Sequence, residues 1–534
     1  MDETPPSPQH AEPEPPRPGA HPAGVGRVFA VAAFSAVIAL APYTVAGLET
    51  FQVWRPGDPP PFRHLLQRQP RGASLASAFR RSEPAFDDTD DDALMAAAPL
   101  PAAVQAAPSP RPEPATAAAP DVLPPLDPAA YEGLTRELED PAGGMRAFFR
   151  RLAQVHRGDP DALARISLFG TSTNGADRVS SQLRHLLQRR FGDGGKGWVP
   201  VAAGWRYQRH QDVEWTYDNW RTYVVNRHDG PLARYGYGGV VAINKGPGSR
   251  STFATAPSGV GSQVARYRLF YQAWPGGGEL TATLDEGPST VLDTRAATVE
   301  DRVLDLDVFD GPHQLTIRPS GQGDRREDLR LYGVVMERGG PGVVVDGLAL
   351  IGAFTRVLLY WDPDHLQRQI ELREPDLFVF WLGANDAVSE SVPYERELFR
   401  ERYEEILARF RLSRPEASCL VMSILDKGYQ EDDRIRTRPR VPGLVQTQRE
   451  VAEAAGCAFF DTFEAMGGHG TMRRWHRARP RLVTDDLGHL TEPGSRVVGT
   501  LLTRALLKAY ADWIAAGEPA PSGLAEPGQE PSPP

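Results

Sequence analysis

The chain has 534 residues, a formal net charge of −10 and two cysteines. This length suffices for two or three domains whose cores need no disulfides, and the acidic balance argues against nucleic acid as a partner. The twelve histidines are scattered, no HExxH motif or cysteine cluster is present, and no glycine-rich loop precedes Lys-Ser/Thr. The sequence therefore predicts no metal, no phosphate-binding loop and no other cofactor.

The N-terminal region begins with a polar, proline-rich segment, residues 1–26, which is typical of a disordered tail. Val28–Leu48 then contains no charged residue over 21 positions, which is long enough to cross a bilayer as a helix. We expect residues 27–48 to be an uncleaved transmembrane anchor. A signal peptide cleaved after Ala46 is the alternative. Arginines flank the span on both sides, so its orientation stays open.

Two segments connect this span to the next part of the chain. Residues 49–130 are rich in proline and alanine and contain an acidic run, which predicts a linker without a packed core. Tyr131–Arg157 carries apolar residues at helical spacing, which predicts a helix that packs on the following domain. We assign residues 131–204 to the first part of an α/β domain.

A strand, a tight turn and a helix are predicted in succession at Ile166–Asp177 and beyond. The apolar run to Phe169 predicts a buried strand, and Arg178–Phe191 has a helical pattern. The Gly-Thr-Ser-Thr turn between them places Ser172 where a nucleophile would stand at the carboxyl edge of a sheet. A serine that merely caps the helix is the alternative.

Residues 205–340 predict an inserted β-rich domain. Nine tryptophans and tyrosines between Trp198 and Tyr237 are suited to sugar stacking or to the core of a β-sandwich. Short alternating strands separated by Gly/Pro/Asp turns follow from Val264 to Glu337, which indicates an antiparallel sandwich.

The α/β pattern resumes over residues 341–516. Apolar runs at Gly342–Val345, Leu377–Leu382, Cys419–Leu425 and Cys457–Asp461, with helical patterns between them, predict four more parallel strands. With the strand before Ser172 they give a five-stranded parallel sheet in a three-layer α/β fold. Cys419 and Cys457 are expected to be buried thiols, with a bridge between them as the alternative. Residues 517–534 predict a disordered tail.

Three further loops follow predicted strands. His489 lies three residues after Asp486, so the carboxylate can accept its Nδ1–H and leave Nε2 to take a serine proton. Asn385, after the third strand, can aim its amide at a developing oxyanion. Ala349 follows the second strand and can offer a backbone N–H to the same hole. Surface and turn roles are the alternatives for His489 and Asn385.

Taken together, these loops resemble the SGNH (GDSL-like) hydrolases. The matching segments are FGTSTNGAD, LALIGA, WLGANDA and DDLGHLTEPG, which bracket residues 165–515. The helix before the first strand, the inserted β domain and the segment FGDGGKGWVP resemble the peptidoglycan O-acetylesterase branch. The resemblance implies a flavodoxin-like SGNH fold.

The resemblance also implies a role for each matched residue. Ser172 would be the nucleophile, His489 the general base and acid, and Asp486 the group that orients it. The backbone N–H groups of Ser172 and Ala349 and the side chain of Asn385 would form the oxyanion hole. Two residues depart from the family pattern: Thr171 stands where the family has aspartate, and Ala349 where it has glycine.

The activity expected from this resemblance is that of a membrane-anchored serine esterase, with its catalytic head on the outer side of the membrane. It would remove acetyl or other small acyl groups from a cell-envelope polysaccharide such as peptidoglycan. An acyltransferase that uses the same triad and a decayed glycan-binding protein are the alternatives. The sequence leaves the acyl group, the sugar and the oligomeric state open.

Overall fold

The computed structural model describes residues 123–205, 208–227, 230–320, 327–389 and 394–517. The predicted N-terminal tail, the predicted anchor at 27–48 and nearly all of the linker and C-terminal tail lie outside these ranges. Within the described ranges, no helix combines the length and the apolar character needed to cross a membrane.

The apolar runs predicted as buried strands form one parallel sheet. Its strands are Leu163–Gly170 (β1), Gly342–Ala349 (β13), Leu377–Trp381 (β14), Ser418–Met422 (β15) and Ala458–Phe460 (β18). The strand order is β13-β1-β14-β15-β18. After β1 the chain adds β13 on one side of it and then β14 on the other, so the strand order reverses between β1 and β14. Such a switch point opens a crevice at the carboxyl ends of the strands.

Helices cover both faces of this sheet, which is why its strands are continuously apolar. One face carries Arg146–Arg157 (α1), Arg178–Phe191 (α2) and Glu492–Ala515 (α9), and the other carries Pro363–Arg373 (α3), Arg396–Ser413 (α5) and Arg440–Ala454 (α6). Shorter elements are Ala384–Val388 (α4), Thr462–Ala465 (α7), Thr471–Arg477 (α8) and the hairpin Gly428–Glu431 (β16) with Arg434–Thr437 (β17). The predicted three-layer α/β fold with five parallel strands is confirmed.

The first α-helix is shorter than the sequence pattern predicted. It was expected from Tyr131, but α1 begins only at Arg146, after the Pro-Ala-Gly-Gly segment 141–144. The carboxylate of Asp140 accepts the backbone N–H groups of Gly144 at 2.6 Å and Met145 at 3.1 Å. This local turn satisfies donors at the helix start, and glycine and proline disfavour a continuous helix through it.

The insertion consists of two antiparallel sheets that share a core. Its strands are Gly197–Pro200 (β2), Val213–Asp218 (β3), Trp220–Val224 (β4), Val240–Asn244 (β5), Arg250–Thr255 (β6), Val264–Ala273 (β7), Glu279–Leu284 (β8), Ser289–Asp293 (β9), Glu300–Gly311 (β10), Gln314–Pro319 (β11) and Arg330–Glu337 (β12). One sheet has the order β10-β7-β12-β5-β4 with β2 added to β12, and the other has the order β3-β6-β11-β8-β9. The predicted antiparallel insertion is present, and it also takes up β2, which precedes residue 205.

Most of the clustered aromatic residues serve the core. Trp198, Tyr235 and Tyr237 are fully buried where the insertion packs against the α/β layers. Trp205 differs from them, because it is only partly buried and lines an open cleft beside Ser172. Of the two interpretations given above, core packing therefore explains these three buried residues, and Trp205 offers an aromatic surface suited to sugar stacking beside Ser172.

The two cysteines are buried, but they form a disulfide rather than two free thiols. Strands β15 and β18 are neighbours in parallel register, with Leu420 opposite Ala458. The residues that precede this pair, Cys419 and Cys457, therefore face each other, and their Cα atoms are 4.9 Å apart. The bridge that the sequence left as the alternative follows from this strand pairing.

Candidate active site

The turn that carries Ser172 begins where β1 ends. Ser172 opens a segment of two short 3₁₀ turns over residues 172–177, with a kink at residues 174–176 between them. The backbone N–H of Asn174 donates to the carbonyl of Thr171 at 3.0 Å, and its side-chain oxygen accepts the N–H of Ser180 at 3.1 Å. A Cβ on Gly170 would lie 3.1 Å from the Cβ of Asn174, so glycine permits the close return of the chain. These contacts tie the serine turn to α2.

Thr171, which stands where the resemblance implies an aspartate, is fully buried. Its hydroxyl lies 3.5 Å from the hydroxyl of Thr173. A neutral threonine avoids the free-energy cost of a buried, unpaired carboxylate at this point of the turn. The turn is thus held by hydroxyl and amide contacts.

A continuous hydrogen-bonded relay joins Ser172 to the loop before α9. The Oγ of Ser172 lies 2.8 Å from Nε2 of His489, and Nδ1 of the same ring lies 2.6 Å from Oδ2 of Asp486. A proton on Nδ1 donates to the carboxylate and leaves Nε2 free to accept from the serine hydroxyl. The structure therefore brings together the three residues that the sequence singled out from segments more than 300 positions apart.

The carboxylate of Asp486 is held in its ionised form. Burial alone would raise its pKa, but donation from Thr484, His489 and the backbone N–H of Gly488 outweighs burial and keeps the pKa well below the usual range. Its Oδ1 accepts the Thr484 hydroxyl at 2.6 Å and the His489 backbone N–H at 3.0 Å. A permanently charged carboxylate at this position stabilises a protonated imidazole.

A buried lysine contacts the backbone of the loop that carries Asp486 and His489. The sequence pattern did not identify this residue. Lys427 is 3 % exposed, and its Nζ donates to the carbonyl of Gly488. Burial lowers its pKa to about 8, against the opposing effects of Asp486 and Asp426. Lys427 lies shortly after the fourth buried strand, and it is one of only four lysines in the chain. These two features are the signal that could have identified it from the sequence.

The two other predicted loops lie on either side of β1. Ala349, the last residue of β13, pairs in register with Gly170, and the backbone N–H of Leu350 donates to the Gly170 carbonyl at 2.9 Å. Asn385 lies in α4, directly after β14, the other neighbour of β1. Its Nδ2 donates to the carbonyl of Ala353 at 2.7 Å. A carboxamide has a second N–H, so this bond orients the group and leaves one donor.

A second contact ties these two loops together. The side chain of Asp386 accepts both the backbone N–H of Thr355, at 2.9 Å, and its hydroxyl, at 3.0 Å. Asp386 is mostly buried, and burial raises its pKa despite these two donors. The bonds from Asn385 to Ala353 and from Thr355 to Asp386 fix the loop after β14 to the loop after β13.

Buried charges lie directly behind the serine turn. Asp177 ends the 3₁₀ segment, and its Oδ2 lies 2.9 Å from Arg184 and 3.0 Å from Lys196, which belongs to the FGDGGKGWVP segment. All three side chains are at most 1 % exposed. Burial alone would raise the pKa of Asp177, but the charges of Arg184 and Lys196 hold it far below the usual range. This motif therefore anchors the turn through an ion pair.

An open cleft of about 460 Å³ lies in front of the relay. Ser172 and His489 line it together with Arg178, Trp205 and Gln208. The side chains of His489 and Asp486 are 46 % and 54 % exposed, so water reaches the relay from this side. Among the described residues, no group of three or more His, Cys, Asp or Glu side chains could hold a metal ion.

A Ser-His-Asp relay at the carboxyl edge of a flavodoxin-like sheet defines a serine hydrolase of the α/β class. Within this chain, residues 316–497 match the GDSL-like Lipase/Acylhydrolase family. The match contains Ala349, Asn385, Asp486 and His489, whereas Ser172 lies before it, on the far side of the insertion. No curated protein sequence matches the chain.

One solved structure shows the same fold. A peptidoglycan O-acetylesterase shares 21 % identity with a TM-score of 0.60, and the match covers 70 % of this chain and 99 % of that one. Weaker matches are a family two carbohydrate esterase from Cellvibrio japonicus (12 % identity, TM-score 0.23, 57 % and 99 % covered) and a GDSL-like lipase from Bacteroides thetaiotaomicron (16 %, 0.24, 31 % and 76 %).

Proposed function

We propose that the chain is a membrane-anchored serine esterase that removes O-acetyl or other small acyl groups from a cell-envelope polysaccharide such as peptidoglycan. The observation that carries the proposal is the relay of 2.8 Å and 2.6 Å from Ser172 through His489 to Asp486, placed at an open cleft. This geometry is the one that acyl transfer to a serine requires.

The reaction begins when Ser172 Oγ attacks the ester carbonyl while His489 Nε2 takes its proton. Asp486 stabilises the imidazolium, and the backbone N–H groups of Ser172 and Ala349 with the Asn385 amide stabilise the oxyanion. His489 then gives the proton to the departing sugar oxygen, which leaves an acyl-serine. Water, deprotonated by His489, attacks the acyl group, and the collapse releases the carboxylic acid and restores the serine.

The exposure of the relay favours water as the acyl acceptor. The side chain of His489 is nearly half exposed at a cleft that opens to solvent. A transferase must keep water away from its acyl-enzyme. Product analysis with a sugar acceptor separates the two reactions, because transfer yields an acylated sugar in place of free acid.

The polysaccharide substrate and the location outside the cytoplasm are supported by separate features. The matching peptidoglycan O-acetylesterase aligns over 99 % of its own length with 70 % of this chain. Trp205 offers an aromatic surface beside Ser172. The apolar run Val28–Leu48 has the length of a membrane span, and the bridge between Cys419 and Cys457 is of the kind that persists in oxidising compartments.

The catalytic assignment is tested by release of acid from p-nitrophenyl acetate and from O-acetylated peptidoglycan by the full-length chain. We expect Ser172→Ala and His489→Ala to abolish turnover of both esters, while Ser289→Ala, on the exposed strand β9, retains it. Undiminished hydrolysis by Ser172→Ala would refute the assignment. The anchor is tested by fractionation: deletion of residues 27–48 should move the chain from membranes to the soluble fraction.

A further inference from the structure

Among the described residues that line the cleft beside Ser172, one charged side chain has no partner. Arg178, the first residue of α2, lines the cleft and is exposed. Its guanidinium makes no hydrogen bond or ion pair with any residue in the described part of the chain. The cation therefore faces the space that a substrate must enter to reach Ser172.

The carboxylates near the cleft are already paired with other groups. Asp486 is hydrogen-bonded to His489. Asp485 forms an ion pair with Arg481, and its Oδ1 lies 3.0 Å from Nε2 of His476. Glu492 forms an ion pair with Arg496 on α9. None of the described residues that line the cleft is acidic. Arg178 is therefore the one charged side chain among the described residues that line the cleft.

Groups suited to a sugar ring line the same cleft. Trp205 presents part of an indole ring, and such rings stack on the apolar faces of sugars. The side-chain oxygen of Gln208 accepts the backbone N–H of Gly204 at 2.8 Å, which orients the amide. No described residue accepts from its amide nitrogen, which leaves its hydrogens as donors for a polar ligand.

We infer that the cleft binds an ester of an acidic sugar, with the guanidinium of Arg178 pairing with a carboxylate on the acylated sugar itself. This inference rests on the proposed esterase function. The planar guanidinium matches a carboxylate with two parallel hydrogen bonds, which fixes the orientation of the sugar as well as its charge. A neutral sugar would leave Arg178 without a partner, so the carboxylate distinguishes the substrate from a neutral acylated glycan.

The test compares two esters that differ only in the carboxylate: a mono-O-acetyl methyl glucuronide and the same acetyl ester of methyl glucoside. The full-length wild type should have the higher kcat/KM on the glucuronide, and added salt should reduce this preference. Arg178→Gln should lower the glucuronide-to-glucoside ratio by roughly 10- to 100-fold, as expected for loss of a charge-assisted hydrogen bond. Arg178→Lys should restore part of the ratio, because lysine keeps the positive charge but lacks the planar pair of donors of the guanidinium.

The matched control is Arg189→Gln, which removes an exposed arginine from the last turn of the same helix and should leave the ratio unchanged. A wild type that shows no preference for the glucuronide, or an Arg178→Gln variant that slows both esters equally, overturns the inference. Parallel assays of p-nitrophenyl acetate separate the two proposals. Absence of wild-type turnover there counts against the esterase, whereas turnover without a preference counts only against the acidic sugar.

Discussion

The Nζ of Lys427 donates a hydrogen bond to the main-chain carbonyl of Gly488, the residue directly before His489. The backbone N–H of Gly428 also bonds to this loop, at the carbonyl of Leu487 over 2.8 Å. The segment after β15 thus holds the loop that carries both Asp486 and His489. Lys427 does not touch Ser172 or the cleft, so we regard it as a positioning residue that acts through the Asp486–His489 loop.

We predict that Lys427→Met lowers kcat/KM by about tenfold or more, because the Gly488 carbonyl loses a charge-assisted bond. It should lower kcat more than it raises KM, because Lys427 lies outside the cleft and acts only through the loop. Steady-state kinetics on p-nitrophenyl acetate measure both quantities.

Two variants complete this experiment. Lys427→Arg should retain more of the wild-type kcat, because it keeps the charge. Lys508→Met removes a partly exposed lysine that pairs with Asp512 on α9, and it should change neither quantity. An unchanged kcat and KM in Lys427→Met would mean that this contact does not position the loop.

The adjacent carboxylates Asp485 and Asp486 provide a matched pair of substitutions. Asp486→Asn should reduce kcat by roughly 10²- to 10⁴-fold, because an amide that donates to Nδ1 favours the wrong tautomer of His489. Asp485 is 83 % exposed and bonds to Arg481 and His476, so Asp485→Asn should leave kcat unchanged. Steady-state kinetics on p-nitrophenyl acetate measures both. Equal effects of the two substitutions would argue against a specific role for Asp486.

The elements predicted best from the sequence are those that burial determines. Continuous apolar runs gave all five parallel strands, because both faces of this sheet are covered. The bounds Arg178–Phe191 of α2 were also predicted, since its apolar period is clear. The serine and asparagine loops were found because they follow buried parallel strands, whose carboxyl ends lie along one edge of the sheet. The loop with Asp486 and His489, which precedes α9, was found from its Asp-x-x-His spacing.

The features that the sequence left open or missed depend on contacts between segments far apart in sequence. The bridge from Cys419 to Cys457 requires the pairing of β15 with β18, which the sequence pattern does not reveal. The contact of Lys427 with Gly488 spans 61 positions and likewise follows only from the folded chain. Strand β2 was assigned to the α/β part, because its pairing with β12 joins segments on the two sides of the insertion.

The amide of Asn385 gives a third prediction. Asn385→Asp keeps the size of the side chain but removes both N–H donors, including the one bonded to Ala353. We expect a loss of roughly 10²- to 10³-fold in kcat, as for removal of one oxyanion donor, with a smaller change in KM. Asn385→Ala should have a similar effect. If either variant kept wild-type kcat, the oxyanion hole would be formed without this residue.

The buried ion pairs of Asp177 make stability depend on pH. Because Arg184 and Lys196 hold its pKa below that of an unfolded aspartate, the folded state binds fewer protons there. The stabilisation is therefore complete above a pH of about 4 and is lost as the pH falls further. Asp177→Asn leaves Lys196 without its carboxylate and leaves Arg184 with Asp212 alone, so we expect it to lower the free energy of unfolding by about 3–5 kcal/mol at neutral pH.

This prediction is checked by urea unfolding of the wild type, Asp177→Asn and Asp485→Asn at pH values of about 7 and 3. Asp485 is largely exposed, so its variant should follow the wild type closely at neutral pH. The difference between wild type and Asp177→Asn should narrow at the lower pH, because protonation of Asp177 removes the same charge that the substitution removes. Unfolding curves that stay equally far apart at both pH values would contradict a charged Asp177 behind the serine turn.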